Sequence, residues 1–103
     1  MNFDEYQKAA KKTAIYNDAL YPILGLASEA GEVAGKVKKY IRDGGDYRVT
    51  YEELAKELGD VLWYVAAIAS DIGYDLSAIA KMNIDKLSDR QNRGAIQGSG
   101  DNR

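Results

Sequence analysis

Apolar residues recur along most of this chain at intervals of three and four, the spacing of one face of a helix. Phe3, Tyr6, Ala10 and Ala14 mark the first run. Asn2 with Glu5 supplies a capping box at its start, predicting a first helix that reaches about Ile15. Pro22, the only proline, suits the first turn of a second helix, which runs to about Asp43 where Gly44 and Gly45 stop it. Thr50 with Glu53 reads as another capping box and opens a third helix that ends near Gly73. Leu54, Leu58, Val61, Val65, Ile68 and Ile72 give that helix a continuous seam for packing. Asp75 is placed to cap a fourth helix ending near Gly94, and the remainder is glycine-rich and irregular. Strand signals are absent. The expectation is an all-α fold, an antiparallel helical hairpin with flanking helices, in one domain over residues 1–94 with a flexible C-terminal tail over 95–103.

Helices two and three would each span roughly 33 Å at 1.5 Å per residue. A chain of 103 residues cannot cover two such rods on all sides. The stretch 61–69 is apolar nearly all round, as in a helix buried on most faces. A homodimer or homotetramer whose copies share one four-helix-type bundle is therefore expected.

Two acidic pairs stand out against this apolar background: Glu29 with Glu32, and Glu57 with Asp60. Residues three apart share a helix face. In an antiparallel hairpin with a short loop from Gly44 to Val49, Glu32 lies about 16 Å and Asp60 about 15 Å from the turn. The spacing thus predicts a four-carboxylate cluster, with Glu32 and Asp60 level and Glu29 and Glu57 one turn to either side. Within their own helices Glu29 and Glu57 have no cation at three or four residues, whereas Glu32 has Lys36 and Asp60 has Lys56. Two carboxylates about 5 Å apart repel by roughly 3 kcal/mol at an effective dielectric of 20, so a divalent cation is the natural occupant. Gly31 and Gly59 sit inside predicted helices at a cost of about 1 kcal/mol each relative to alanine. They are read, with Gly25 and Gly35, as sites of close approach by a helix or a ligand.

Composition narrows the chemistry. The chain has no histidine and no cysteine, which excludes imidazole catalysis, thiol nucleophiles and disulfides. Oxygen donors alone favour Mg²⁺, with Mn²⁺ possible, over Zn²⁺. A net charge of −2 and a pI of 5.1 do not suggest a nucleic-acid polymer as partner. Neither a signal peptide nor a stretch of transmembrane length is evident, so a cytoplasmic protein that does not associate with membranes is expected.

The segment Ser28-Glu29-Ala30-Gly31-Glu32 followed by Glu57-Leu58-Gly59-Asp60 resembles the ExxE and ExxD signature of the MazG-like all-α nucleotide pyrophosphohydrolases. The likeness runs from the first helix to about Arg93. Many members carry a double glutamate where this chain has Ser28, so any role of that extra acid is not carried over. The resemblance implies hydrolysis of a (d)NTP between the α and β phosphates to (d)NMP and pyrophosphate. Glu29, Glu32, Glu57 and Asp60 would be the catalytic, Mg²⁺-binding residues. Same-fold hydrolysis of a metabolite such as phosphoribosyl-ATP, or non-catalytic binding of metal or nucleotide by a helical regulator, are the alternatives.

Supporting residues follow from helical position. Tyr64 lies four residues past Asp60 on the acid face, where it can pack on sugar or base, and Trp63 beside it can stack or be buried. Asn83 interrupts the apolar stripe of Leu76, Ile79 and Leu87 and is expected to be buried with polar partners; substrate contact there is what the resemblance implies. Lys86 and Arg90 share its face as phosphate candidates. Lys36 is a further phosphate candidate, with a salt bridge to Glu32 as the competing reading.

Overall fold

The computed structural model describes residues 1–44 and 47–101, and for 47–50 only the backbone. Four helices follow in order: α1 (Phe3–Lys11), α2 (Leu20–Asp43), α3 (Tyr47–Asp71) and α4 (Leu76–Asn92). No strand occurs among the described residues. The fold is all-α. Helices α2 and α3 form the antiparallel hairpin, and α1 and α4 pack on α3 and on each other, so among the described residues α2 has α3 as its only helical neighbour.

Helix α1 opens as expected: Asn2 Oδ1 accepts the Glu5 amide at 2.8 Å and Glu5 Oε1 accepts the Asn2 amide at 3.2 Å. It stops at Lys11 rather than Ile15. The Thr13 hydroxyl donates to the Ala10 carbonyl at 2.7 Å, and the Thr13 amide takes the same oxygen at 3.0 Å. This local bonding closes the helix. Asp18 then starts α2, its Oδ1 accepting the Leu20 amide at 2.9 Å and its carbonyl the Tyr21 amide. Gly44 ends α2 in the left-handed region at φ 70°, a conformation that favours glycine; Gly45 lies outside the described residues.

Helix α3 begins at Tyr47, so Thr50 belongs to the helix and not to its cap. The side chain of Thr50 is outside those described. Helix α4 follows Asp75, whose side chain makes no cap. Residues of α1 supply it: Gln7 Oε1 accepts the Leu76 amide at 2.7 Å, and the Asp4 carboxylate accepts the Ser77 amide and hydroxyl at 3.1 and 2.8 Å. Gln7 Nε2 also donates to the Tyr74 carbonyl at 2.9 Å and to Ser70 Oγ at 3.1 Å. One buried amide thus joins α1, the end of α3 and the start of α4.

The core is thin. Ala10, Ala66 and Leu76 are its buried members, with Tyr6, Leu62, Trp63 and Val65 packed around them. Of the expected α3 seam, Leu58 and Ile72 are 56% and 61% exposed, and the fully covered positions of that helix are Ala66, Ala67 and Ala69. The seam expectation fails at these two positions, which no helix of this chain covers among the described residues, whereas Leu54 at its start is half-buried.

Candidate functional site

The hairpin register is set by two contacts. A Cβ at Gly25 would fall inside the Tyr64 ring, so glycine is what lets the helices meet there. Further along α2, Lys36 Nζ lies 3.8 Å from Glu53. Eleven residues forward on α2 correspond to eleven back on α3, which sets Glu29 opposite Asp60 and Glu32 opposite Glu57. The expected pairing was Glu32 with Asp60. It is shifted by about one turn because α3 starts before Thr50.

Glu29, Glu57 and Asp60 each bring a carboxylate oxygen within 4.8 Å of the other two. Glu29 and Glu57 are half-buried and Asp60 is exposed. Glu32 is not in that group; it is exposed one turn away. Its charge still reaches Glu29. Glu29 holds its proton above the ordinary carboxylate value, first through partial burial, then through Asp60, the adjoining Glu57 carboxyl and Glu32. Glu57 has one cation that counting neighbours along α3 could not reveal: Lys36, across the hairpin at 3.7 Å. Lys36 therefore pairs with Glu53 and Glu57, not with Glu32. Lys56 goes to Glu52 at 3.8 Å rather than to Asp60.

Among the described residues, three crowded oxygen donors, one of them holding its proton more tightly than usual, face a single cation at 3.7 Å and leave net negative charge between the helices. That donor set fits a hard divalent cation such as Mg²⁺ or Mn²⁺, and it offers nothing to a soft metal.

Beside the acids the aromatic residues assemble. A cavity of about 370 Å³ is lined by Glu29, Asp60, Thr13, Trp63 and Tyr64. The last three also border a second cavity of about 560 Å³, completed by Ile15, Tyr16, Asn17, Asp18 and Tyr21. Trp63 Nε1 donates to Thr13 Oγ1 at 2.8 Å, which fixes the indole. Its ring meets Tyr64 edge to face at 5.1 Å and Tyr16 at 6.5 Å, and Tyr16 stacks on Tyr21 at 5.7 Å. Tyr16 donates to Asp71 Oδ2 at 2.7 Å, and burial followed by that carboxylate pushes its phenol up to about 12. The Tyr64 phenol is also raised, first by the Tyr21 hydroxyl beside it, then by burial and the charges of Glu29 and Asp60. Both phenols stay neutral at physiological pH.

A family model for the MazG nucleotide pyrophosphohydrolase domain matches residues 20–95, both acidic pairs included. The chain belongs to that family. The Gene 37 protein of Mycobacterium phage L5 is 48% identical over 115 residues, an alignment spanning 100% of this chain and 100% of that one. No solved structure matches the chain.

In this MazG domain the α4 residues lie apart from the acids. Asn83 is exposed, contrary to expectation, because α1 and α3 cover α4 on one side only and Met82 and Ile84 beside it are exposed too. Lys86 pairs with Asp101 at 3.1 Å. Arg90 is buried and donates to the carbonyls of Gly100 and Asp101 at 3.3 and 2.8 Å. The two cations hold the tail back against α4, and they keep the Asp101 carboxyl below its ordinary range. Asn83, Lys86 and Asp101 line another cavity, with Ile72, Tyr74 and Met82.

Thr13, Tyr16, Asn17, Asp18 and Tyr21 were not foreseen at the site. Their one signal is an aromatic residue on either side of the turn-forming pair Asn17 and Asp18 just ahead of Pro22, an unusual density of rings for a linker.

Proposed function

We propose that this protein is a Mg²⁺-dependent nucleotide pyrophosphohydrolase that cleaves a (d)NTP between its α and β phosphates, and that it acts as a homo-oligomer in the cytoplasm. The reading rests on one juxtaposition: the Glu29, Glu57 and Asp60 oxygens, within 4.8 Å of one another inside the matched MazG domain, share a wall with an aromatic cavity. Glu29, Glu57 and Asp60 would hold the metal, with Glu32 able to join by a side-chain rotation. Bound Mg²⁺ would supply charge neutralisation and Lewis acidity at the phosphates. Lys36 would move from Glu57 to a phosphate oxygen, as its 3.7 Å contact is loose. Tyr64, neutral and beside Glu29 and Asp60, would pack on the sugar, and Trp63 would form the wall next to it.

Oligomerisation is supported by the surface. The chain exposes 7641 Å², whereas a folded monomer of 11.3 kDa exposes about 5,700 Å². The excess of roughly 1,900 Å² per chain is in the range of obligate homo-oligomer interfaces. Among the described residues no helix is long and apolar enough to cross a membrane, so this surface has no transmembrane explanation. In an oligomer, Asn83, Lys86 and Arg90 would serve substrate only across an interface between copies.

The test is pyrophosphate release from the eight common nucleotides, with phosphoribosyl-ATP alongside, in the presence and absence of Mg²⁺. Activity on at least one nucleotide is expected, lost on chelation and reduced by at least about 100-fold in Glu57→Gln. Unchanged turnover in that variant overturns the assignment. Nucleotide-dependent thermal stabilisation without turnover by the wild type replaces hydrolysis with a binding role.

A further inference from the structure

Resting on the nucleotide reading above, we infer that the aromatic cavity of about 560 Å³ seats the base and that Asp18 selects bases carrying an exocyclic amino group over thymine and uracil. The cavity joins the acid group through Trp63, Tyr64 and Thr13, so a ligand with its phosphates at Glu29 and Asp60 has its other end among the rings. Rings bind any base by stacking and give little discrimination between bases. Selection has to come from the polar groups that line the cavity.

Most of those groups are already engaged. The Trp63 N–H is given to Thr13, the Thr13 hydroxyl to Ala10, and the Tyr16 hydroxyl to Asp71. The Tyr21 and Tyr64 rings lie 6.3 Å apart, and the Tyr21 hydroxyl beside Tyr64 raises its phenol. Asn17 and Asp18 remain. Asp18 is held in place because Oδ1 accepts the Leu20 amide at the start of α2, while Oδ2 receives no hydrogen bond among the described residues. An ionised carboxylate only accepts hydrogen bonds. Cytosine, adenine and guanine offer it an amino N–H, whereas thymine and uracil present two carbonyl oxygens around one N–H and repel it. Asn17, able to donate and accept, complements the neighbouring ring atom.

Trp63 is the only tryptophan in the chain, so its fluorescence reports this cavity without metal or turnover. The experiment titrates the full-length, Mg²⁺-free protein with deoxycytidine, deoxyadenosine, deoxyguanosine and thymidine. At least one amino-bearing nucleoside is expected to change Trp63 emission saturably, with thymidine about ten-fold weaker or worse. Asp18→Asn keeps the helix start, since asparagine caps as well as aspartate. It adds an N–H donor, so the preference is expected to level or invert with the melting temperature unchanged. Equal binding of thymidine, no response to any nucleoside, or an unaltered preference in Asp18→Asn overturns the inference. Pyrophosphate release that is indifferent to the base overturns it alone and leaves the hydrolase standing. Selective nucleoside binding without Mg²⁺-dependent hydrolysis overturns the hydrolase and leaves the base seat standing.

Discussion

Glu29 holds its proton more tightly folded than unfolded, because half-burial and three neighbouring carboxylates all oppose its charge. The folded state therefore binds more protons than the unfolded state, and stability falls as pH rises from the ordinary glutamate value of 4.5 through the raised folded one. Metal-free protein should melt at a lower temperature at pH 7 than at pH 5, and Mg²⁺ should restore the difference. Glu29→Gln should raise the metal-free melting temperature by a few degrees and abolish the gain from Mg²⁺; calorimetry with and without chelator checks both. Gly25 makes the opposite case. Gly25→Ala must push the Tyr64 ring aside at a cost of about 1–3 kcal/mol. A Cβ at Gly31 or Gly59 meets nothing within 4 Å in this chain, so alanine there should stabilise an isolated chain by about 1 kcal/mol. Denaturant titration of the three variants separates the cases. Glu29 and Glu57 were legible in the sequence because no cation lies three or four residues from either within its own helix. The glycines were legible only as anomalies: close approach is right for Gly25, whereas Gly31, Gly35 and Gly59 face open space in this chain.

Elements are joined here by polar groups as much as by apolar ones. Gln7 sits four residues after Phe3 and three before Ala10, a polar residue in the apolar stripe of α1, and that displacement is its only trace in the sequence. Its 69-residue reach to Leu76 cannot be read from local spacing. Gln7→Ala would strip the Leu76 amide of its cap and leave the Tyr74 carbonyl without its donor. A loss of about 2 kcal/mol or more is expected, seen in denaturant unfolding, with faster amide exchange in the first turn of α4. Helix order and type followed from periodicity, and the capping box at Asn2 and the stop at Gly44 followed from local chemistry. The hairpin register did not, because it depends on where α3 begins, and the Thr50–Glu53 pair competes with an earlier start. A shift of about one turn was enough to exchange the partner of Asp60 from Glu32 to Glu29. It also brought Lys36 to Glu57, a contact between helices that no count within one helix can register.

At the scale of the whole molecule, one chain is open rather than compact. Its radius of gyration of 16.5 Å exceeds the roughly 13 Å of a compact domain of this length. Among the described residues helix α2 meets only α3, and its outer face, with Ala30, Val33, Ala34, Val37 and Ile41 and Lys38 among them, is a largely apolar trough with Ile41 67% exposed. Burying roughly 1,900 Å² of excess surface, about half of it apolar, would contribute on the order of 20–30 kcal/mol before the entropy of association is subtracted, far above what a thin alanine core supplies. Folding and assembly should then be one transition, with a midpoint that rises with protein concentration. Ile41→Glu places a charge in the trough about two and a half turns from Glu32, too far to touch the metal group directly. It is expected to shift the protein to monomer in analytical ultracentrifugation, lower its melting temperature, and remove activity although all four acids are intact. A variant that stays assembled moves the interface to the exposed residues of the α3 seam, Leu58 and Ile72, where Ile72→Glu becomes the corresponding test. A stable wild-type monomer with full activity would exclude shared burial and leave the exposed surface of α2 free for a different partner.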